Sequence, residues 1–167
     1  ITEKIKLNIE QLSIYEDLIK QISSHKNKFI LSGVPGSGKT EIYIKIINYI
    51  LSKEKQVIVL VPEISLIEQT FVKLKNNFNN RVGCWHSKLS KNEKLIILNK
   101  IKNNEIEIIV GARSCLFMPF KNLGLIIVDE EQENSYKQTG LSPYYNARDV
   151  SIIRSKSPKL EILFKSI

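Results

Sequence analysis

The run Gly33–Thr40 reads Gly-Val-Pro-Gly-Ser-Gly-Lys-Thr, a spacing of glycines, lysine and hydroxyl that can hold a chain of phosphates. In the pattern Gly-x-x-x-x-Gly-Lys-Thr, backbone N–H groups turn inward around phosphate oxygens at the start of a helix. Gly33, Gly36 and Gly38 are expected to supply positive φ and close backbone approach. Lys39 has the reach for the β- and γ-phosphates, and the Thr40 hydroxyl suits one coordination position of Mg²⁺. Together with Ser37 these residues form the expected nucleotide-binding set, with ATP and Mg²⁺ as cofactors. The second chemical segment is Leu125-Ile126-Ile127-Val128-Asp129-Glu130, an apolar strand that ends in two carboxylates. It follows the glycine-rich loop by about 90 residues, the order in which a phosphate loop and a Walker B segment occur. Asp129 would hold the metal, directly or through water, and Glu130 would orient and deprotonate an attacking water. Lys39, Asp129 and Glu130 are thus the catalytic candidates, and Thr40 and Asp129 the metal candidates.

Both segments need a scaffold that presents them on one side, and the rest of the chain supplies its pattern. Phe29-Ile30-Leu31 reads as a strand before the loop, and Glu41 to Leu51 as a helix after it. Strands are expected at Lys28–Leu31, Gln56–Val61, Arg81–Trp85, Ile106–Val110, Leu125–Asp129 and Leu160–Phe164. Val57-Ile58-Val59-Leu60-Val61 and Leu125-Ile126-Ile127-Val128 are continuous apolar runs, as strands buried on both faces are. Asn8-x-x-Gln11 marks the start of a first helix that runs to about Ser23. Ser65-x-x-Glu68 and Ser90-x-x-Glu93 mark two later helix starts. The expected fold class is therefore α/β, a mostly parallel sheet with helices on both faces.

The composition narrows the setting. The chain has 167 residues, which suits one domain, and no repeat or linker divides it. No apolar run approaches the roughly 20 residues of a membrane span, so no membrane partner is expected. Cys84 and Cys115 stand alone, giving neither a disulfide framework nor a Cys-x-x-Cys metal site, which fits a reducing cytoplasm. The formal charge of +8 suits a polyanion such as DNA, although the lysines are scattered in a chain rich in Lys, Ile and Asn.

The motifs Val61-Pro62-Glu63-Ile64-Ser65-Leu66, His86-Ser87-x-Leu89-Ser90, Gly111-Ala112-Arg113-Ser114 and Asn122-Leu123-Gly124-Leu125 occur in that order. They are followed by Asp129-Glu130-Glu131, Ser135-Tyr136-Lys137-Gln138 and Tyr145-Asn146-Ala147-Arg148-Asp149. From about Leu7 to about Arg154 the chain resembles the first motor lobe of the PriA family of replication-restart helicases. The resemblance implies a RecA-like P-loop NTPase lobe of a superfamily 2, 3′-to-5′ DNA helicase. Its partners would be forked or single-stranded DNA and other replication-restart proteins. It further implies that Gln11 is the glutamine that reads adenine, where an exposed helix residue is the other reading. Pro62 to Leu66 would touch the DNA backbone, and Arg113 with Ser114 would contact phosphate, an ion pair elsewhere being the alternative for Arg113. Tyr136 would stack on a base or sugar while Lys137 meets a phosphate, unless Tyr136, Tyr144 and Tyr145 pack a long loop. Trp85 and His86 are expected to be structural, a buried indole and a turn cap, and His25 to have no specific role.

The chain departs from the family pattern at three places. Pro35 replaces a threonine inside the phosphate loop, at a variable position where it should be tolerated. Gln132 stands where the family has histidine, and keeps hydrogen bonding without titration. After the last strand the family shows Gly-Ser-Ala-Thr, whereas this sequence reads Phe164-Lys165-Ser166-Ile167. The expectation is a helicase ATP-binding domain over residues 1–167, without the second motor lobe, its arginine finger and metal-binding cysteines, and without the N-terminal DNA-binding region. Another chain would then supply the second lobe, and this one would bind ATP, turn it over slowly and not unwind DNA. A second reading is a non-catalytic remnant that binds nucleotide, DNA or a replication partner. A third is a small P-loop kinase, which would need arginines to clamp two phosphorylated substrates, and here they are only Arg81, Arg113, Arg148 and Arg154. A fork-regression helicase would share the lobe, but Gly-Ala-Arg-Ser and Ser-Tyr-Lys-Gln favour PriA.

Overall fold

Asn8 turns the chain into its first helix, α1 (Ile9–Ser23), through a reciprocal cap. The Asn8 carboxamide oxygen accepts from Gln11 N at 2.8 Å, and Gln11 Oε1 accepts from Asn8 N at 2.9 Å. The computed structural model describes residues 5–24, 27–34, 36–130, 132–137, 144–156 and 160–166. Six strands follow the apolar runs: β1 (Lys28–Ser32), β2 (Gln56–Leu60), β3 (Val82–Trp85), β4 (Ile108–Gly111), β5 (Leu123–Val128) and β6 (Glu161–Ser166). Between them lie α2 (Lys39–Leu51), α3 (Ile64–Phe78), α4 (Lys91–Lys102) and α5 (Ala147–Arg154). The sheet order is β1-β6-β5-β2-β4-β3, and every neighbouring pair is parallel.

β2 is buried at every position, which is why its sequence shows no alternation. Val57, Val59 and Ile127 face a core built with α1, α2 and α3, while Ile58, Leu60 and Ile126 face a second core with α4 and α5. β1 lies at the edge and alternates exposed and buried residues, leaving Ile30 open to solvent. Among the described residues no helix is long and apolar enough to cross a membrane.

Each strand departs from its expected bounds by one or two residues at an end, and three shifts, one of them a helix start, have a plain physical reason. α3 begins at Ile64 rather than after Ser65: Pro62, which has no N–H to give, follows β2 closely, and Glu63 takes the N-cap position without a side-chain cap. Arg81 lies in a short 3₁₀ turn (Asn79–Arg81) before β3, where its guanidinium makes a paired contact with the Glu107 carboxylate. β6 runs two residues further than its apolar pattern, because pairing with β1 carries it through Leu31↔Lys165 and Ser32↔Ser166.

Gln56 is a buried polar side chain with a structural reason. Its Nε2 donates to Ile101 O (3.0 Å) and Ile106 O (3.2 Å), and its Oε1 accepts from Lys121 N (3.0 Å) and Asn122 N (3.3 Å). One carboxamide thus ties the end of α4 and the approaches to β4 and β5 to the start of β2. Gln56→Leu should therefore cost about 3 kcal/mol, since it leaves buried backbone groups without partners. A urea unfolding curve with an unchanged slope and a lower midpoint is the expected result.

Candidate functional site

The phosphate loop leaves the carboxyl end of β1 and enters α2 at Gly38, whose φ is 80°. Gly36 shares that left-handed conformation (φ 79°), whereas Gly33 does not, so the expectation of positive φ at all three is corrected. Gly33 is needed for close approach instead, since a Cβ there would lie 3.0 Å from Ser37 Oγ. Lys39 is nearly buried, and its Nζ donates inward to Gly33 O and, at 3.0 Å, to Val34 O. Gln11 reaches this loop from α1. Its Nε2 donates to Ser37 O at 3.3 Å and fills the space a Cβ on Gly38 would need. It is therefore no plain surface residue of α1 but a rim of the loop.

Asp129 follows β5 directly and is 6% exposed. Its amide donates to Leu60 O at 3.0 Å, which fixes the end of β5 against β2. Lys165 Nζ lies 2.7 Å from Asp129 Oδ1, an ion pair without hydrogen-bond alignment, so that Oδ1 accepts no hydrogen bond. Glu130 has φ 50°, uncommon for a residue with a Cβ, and the kink turns its carboxylate toward the phosphate loop. Gln132 Nε2 donates to Glu130 Oε2 at 2.9 Å, so the residue that replaces the family's histidine steadies the second carboxylate. One recess of about 350 Å³ takes in Gly36 to Glu41 together with Glu130 and Lys165. A second, of about 200 Å³, brings Thr40 to the same wall as Asp129 and Glu130. A hydroxyl, a buried carboxylate oxygen without a hydrogen bond and a glycine-rich loop fit a magnesium-bound polyphosphate.

Further along the same edge of the sheet, a groove of about 590 Å³ opens over the ends of β2, β3 and β4. Pro62, Trp85, His86, Lys94, Arg113 and Ser114 are among its walls. Ser114 is exposed and its hydroxyl accepts from Trp85 Nε1 at 3.1 Å. Lys94 Nζ sits 5.9 Å over the Trp85 ring. Trp85 is thus only half-buried and forms part of the groove, which departs from the buried indole expected; His86 Nδ1 is buried without a hydrogen-bond partner, so that nitrogen caps no turn. Among the described residues Arg113 shows no ion pair; its guanidinium donates to Ser135 O (2.5 Å) and Lys137 O (3.3 Å), in the loop after Asp129-Glu130.

The stacking role expected of Tyr136 is corrected. The residue is 2% exposed, and its hydroxyl donates to Leu60 O at 3.0 Å and to Asp129 O. Burial, and then the carboxylates of Asp129, Glu130 and Glu133, raise its pKa, so the hydroxyl stays protonated and remains a donor. The packing reading therefore holds for Tyr136, while Lys137 remains exposed beside it. Glu131, Gln138, Pro35 and His25 lie outside the described residues. Arg81 pairs with Glu107, Arg154 donates to Leu116 O, and Arg148 lies 5.3 Å over the Phe164 ring, so with Arg113 the arginines serve contacts within the chain. Sequence reasoning missed two site residues, Gln132 as a partner of Glu130 and Lys165 as a partner of Asp129. The register of β6 beside β1 was the only signal for Lys165, and apolar patterning ended too early to show it.

A model of the family described as type III restriction enzyme, res subunit, matches residues 4–156. The chain is 45% identical over 166 residues to the replication restart protein PriA of Bacillus subtilis strain 168, covering 99% of this chain and 20% of that protein. To PriA of Helicobacter pylori strain J99 it is 44% identical over 165 residues, 98% of this chain and 26% of the relative. It therefore spans about a fifth to a quarter of the length of the curated relatives it matches. Among solved structures, RecG bound to a three-way DNA junction superposes with a TM-score of 0.72 at 25% identity, over 96% of this chain and 21% of that one. The Hef helicase domain of Pyrococcus furiosus gives 0.69 at 19% identity over 97% of this chain and 33% of that chain, a likeness of fold. The sheet is that of a RecA-like helicase lobe, as expected.

Tyr136→Phe keeps the ring and removes the donor shared by two buried carbonyls. It should lower stability by about 1–2 kcal/mol and speed hydrogen exchange across residues 132–137. A tyrosine that served only as a stacking surface would tolerate phenylalanine with no change in either measurement.

Proposed function

The chain belongs to the family described as type III restriction enzyme, res subunit, and from that premise we propose that it is the ATP-binding first motor lobe of a PriA-type, 3′-to-5′ replication-restart DNA helicase. The observation that carries this reading is that Lys39 and Thr40 share one recess with Glu130, and Thr40 shares a second with Asp129 and Glu130, at the ends of β1 and β5. Lys39 would give up its two loop carbonyls and turn its ammonium to the β- and γ-phosphates. Thr40 and Asp129 would hold Mg²⁺, which when bound neutralises phosphate oxygens. Glu130, steadied by Gln132, would accept a proton from the attacking water. Gln11 sits where it could recognise the base, beside the loop at Gly38.

DNA would lie in the neighbouring groove, with phosphates near Ser114, Lys94 and Lys137. Arg113 acts there by holding the loop that carries Lys137. The 167 residues are read as one lobe, and a motor needs a second lobe that opens and closes against it. Relatives several times longer supply the length for one, and so could a separate chain. By itself the lobe is expected to bind ATP, hydrolyse it slowly and not unwind DNA, because an arginine finger from another lobe contributes about 10³–10⁵ in rate at related sites. A small kinase is not favoured, since the described arginines serve contacts within the chain, and nothing in the site favours a non-catalytic remnant.

Isothermal titration with ATP and Mg²⁺, paired with a hydrolysis assay with and without forked DNA, tests the reading. Lys39→Ala should abolish binding, whereas Glu130→Gln should keep binding and lose turnover by about 10²-fold or more. Binding that survives Lys39→Ala unchanged would refute the site.

A further inference from the structure

Lys165 is a lysine of the nucleotide recess to which the reading above gives no part. β6 runs parallel to β1 with Lys165 opposite Leu31, two residues before the phosphate loop begins at Gly33. Its Nζ lies 2.7 Å from Asp129 Oδ1, after the end of β5, and 5.9 Å from the Tyr43 ring centroid. Both partners are largely withdrawn from water, with side chains 13% and 9% exposed. The same ammonium lines the recess formed by the phosphate loop and Glu130. Of the other two lysines there, Lys39 donates to the loop carbonyls and Lys73 pairs with Glu41 at 3.3 Å, in a far more open setting. Asp129 Oδ1 is thus served by one fixed positive charge and by no hydrogen bond.

We propose that Lys165 is a built-in counter-cation of Asp129 that a divalent metal must displace, and that its ammonium lets the phosphate loop hold a nucleoside polyphosphate when no metal is present. The proposal deepens, and rests on, the reading of this recess as a nucleotide site. Two cations cannot both sit against one carboxylate oxygen without strong repulsion in a site shielded from water. A metal therefore binds Asp129 only as the ammonium leaves, and the phosphate chain beside it is the nearest anion to receive that charge. Breaking such a pair without a replacement would strand two charges, so metal reaches Asp129 only when a polyphosphate is there to take the ammonium, whereas polyphosphate alone binds with the lysine still beside Asp129. Lys165 is a positioning residue for the metal and a direct ligand for metal-free polyphosphate.

The test is binding of a fluorescent, non-hydrolysable ATP analogue, followed by anisotropy in EDTA and across a Mg²⁺ titration. It is run on the wild-type chain, Lys165→Met, Lys165→Arg and Lys39→Ala. Methionine keeps an apolar stem against Tyr43, and a thermal melt reports whether each variant is folded. Wild type should bind in EDTA, and Lys165→Met should lose about tenfold of that affinity. The Mg²⁺ concentration at half effect should fall in Lys165→Met, since no ammonium competes for Asp129, and Lys165→Arg should stay near wild type. Equal EDTA affinity and equal Mg²⁺ midpoint in wild type and Lys165→Met overturn the proposal, as does a wild-type chain that binds only with Mg²⁺. A wild-type chain that fails to bind even with Mg²⁺, or a Lys39→Ala chain that binds as well, takes down the nucleotide reading itself.

Discussion

All six strands run the same way, so every loop that leaves a carboxyl end opens on one edge of the sheet. Open parallel sheets place their ligands there. In this sheet the strand order also divides that edge in two. β1, β6 and β5 are neighbours, and their ends deliver the phosphate loop, Lys165 and Asp129. β2, β4 and β3 are neighbours, and theirs deliver Pro62, Arg113 and His86. The chemistry is sorted by topology before any side chain is chosen.

The boundary between the two halves falls between β5 and β2, and one loop crosses it. Glu130 lies in the recess beside the phosphate loop, and Ser135 and Tyr136 lie in the wall of the groove. Tyr136 pins that loop with a hydroxyl shared between the ends of β2 and β5, and Arg113 holds it from β4's side through two carbonyls. Gln132 ties the near end to Glu130. A displacement of the loop at either end must therefore strain contacts at the other. This gives a physical link between the two ligand regions that depends on three side-chain donors, Tyr136 and Arg113 reaching backbone carbonyls and Gln132 reaching Glu130.

Much of this was legible in the sequence because it depended on local rules. The apolar runs of β2 and β5 announced burial on both faces, Asn8-x-x-Gln11 and Ser90-x-x-Glu93 formed the caps their spacing suggests, and the glycine pattern fixed the phosphate loop. What was not legible depended on long-range register or on competition for a partner. Lys165 meets Asp129 only because β6 lies between β1 and β5, a pairing that apolar periodicity cannot specify. Tyr136 and Arg113 carry side chains suited to nucleic acid, yet nearby carbonyls claim both, and a sequence does not show which acceptor is closer. Ser65 had the residue type of a cap, but the turn at Pro62 placed the helix start before it.

The inward bonds of Lys39 to Gly33 O and Val34 O make occupation of the loop an exchange rather than an addition. An arriving phosphate takes over an ammonium that already has acceptors, so the net affinity is a difference between two hydrogen-bonded arrangements and is smaller than the contacts alone would suggest. The same bonds shield two carbonyls that would otherwise point into a ring of amides meant for anions. The lysine thereby also supports the shape of the loop that carries it.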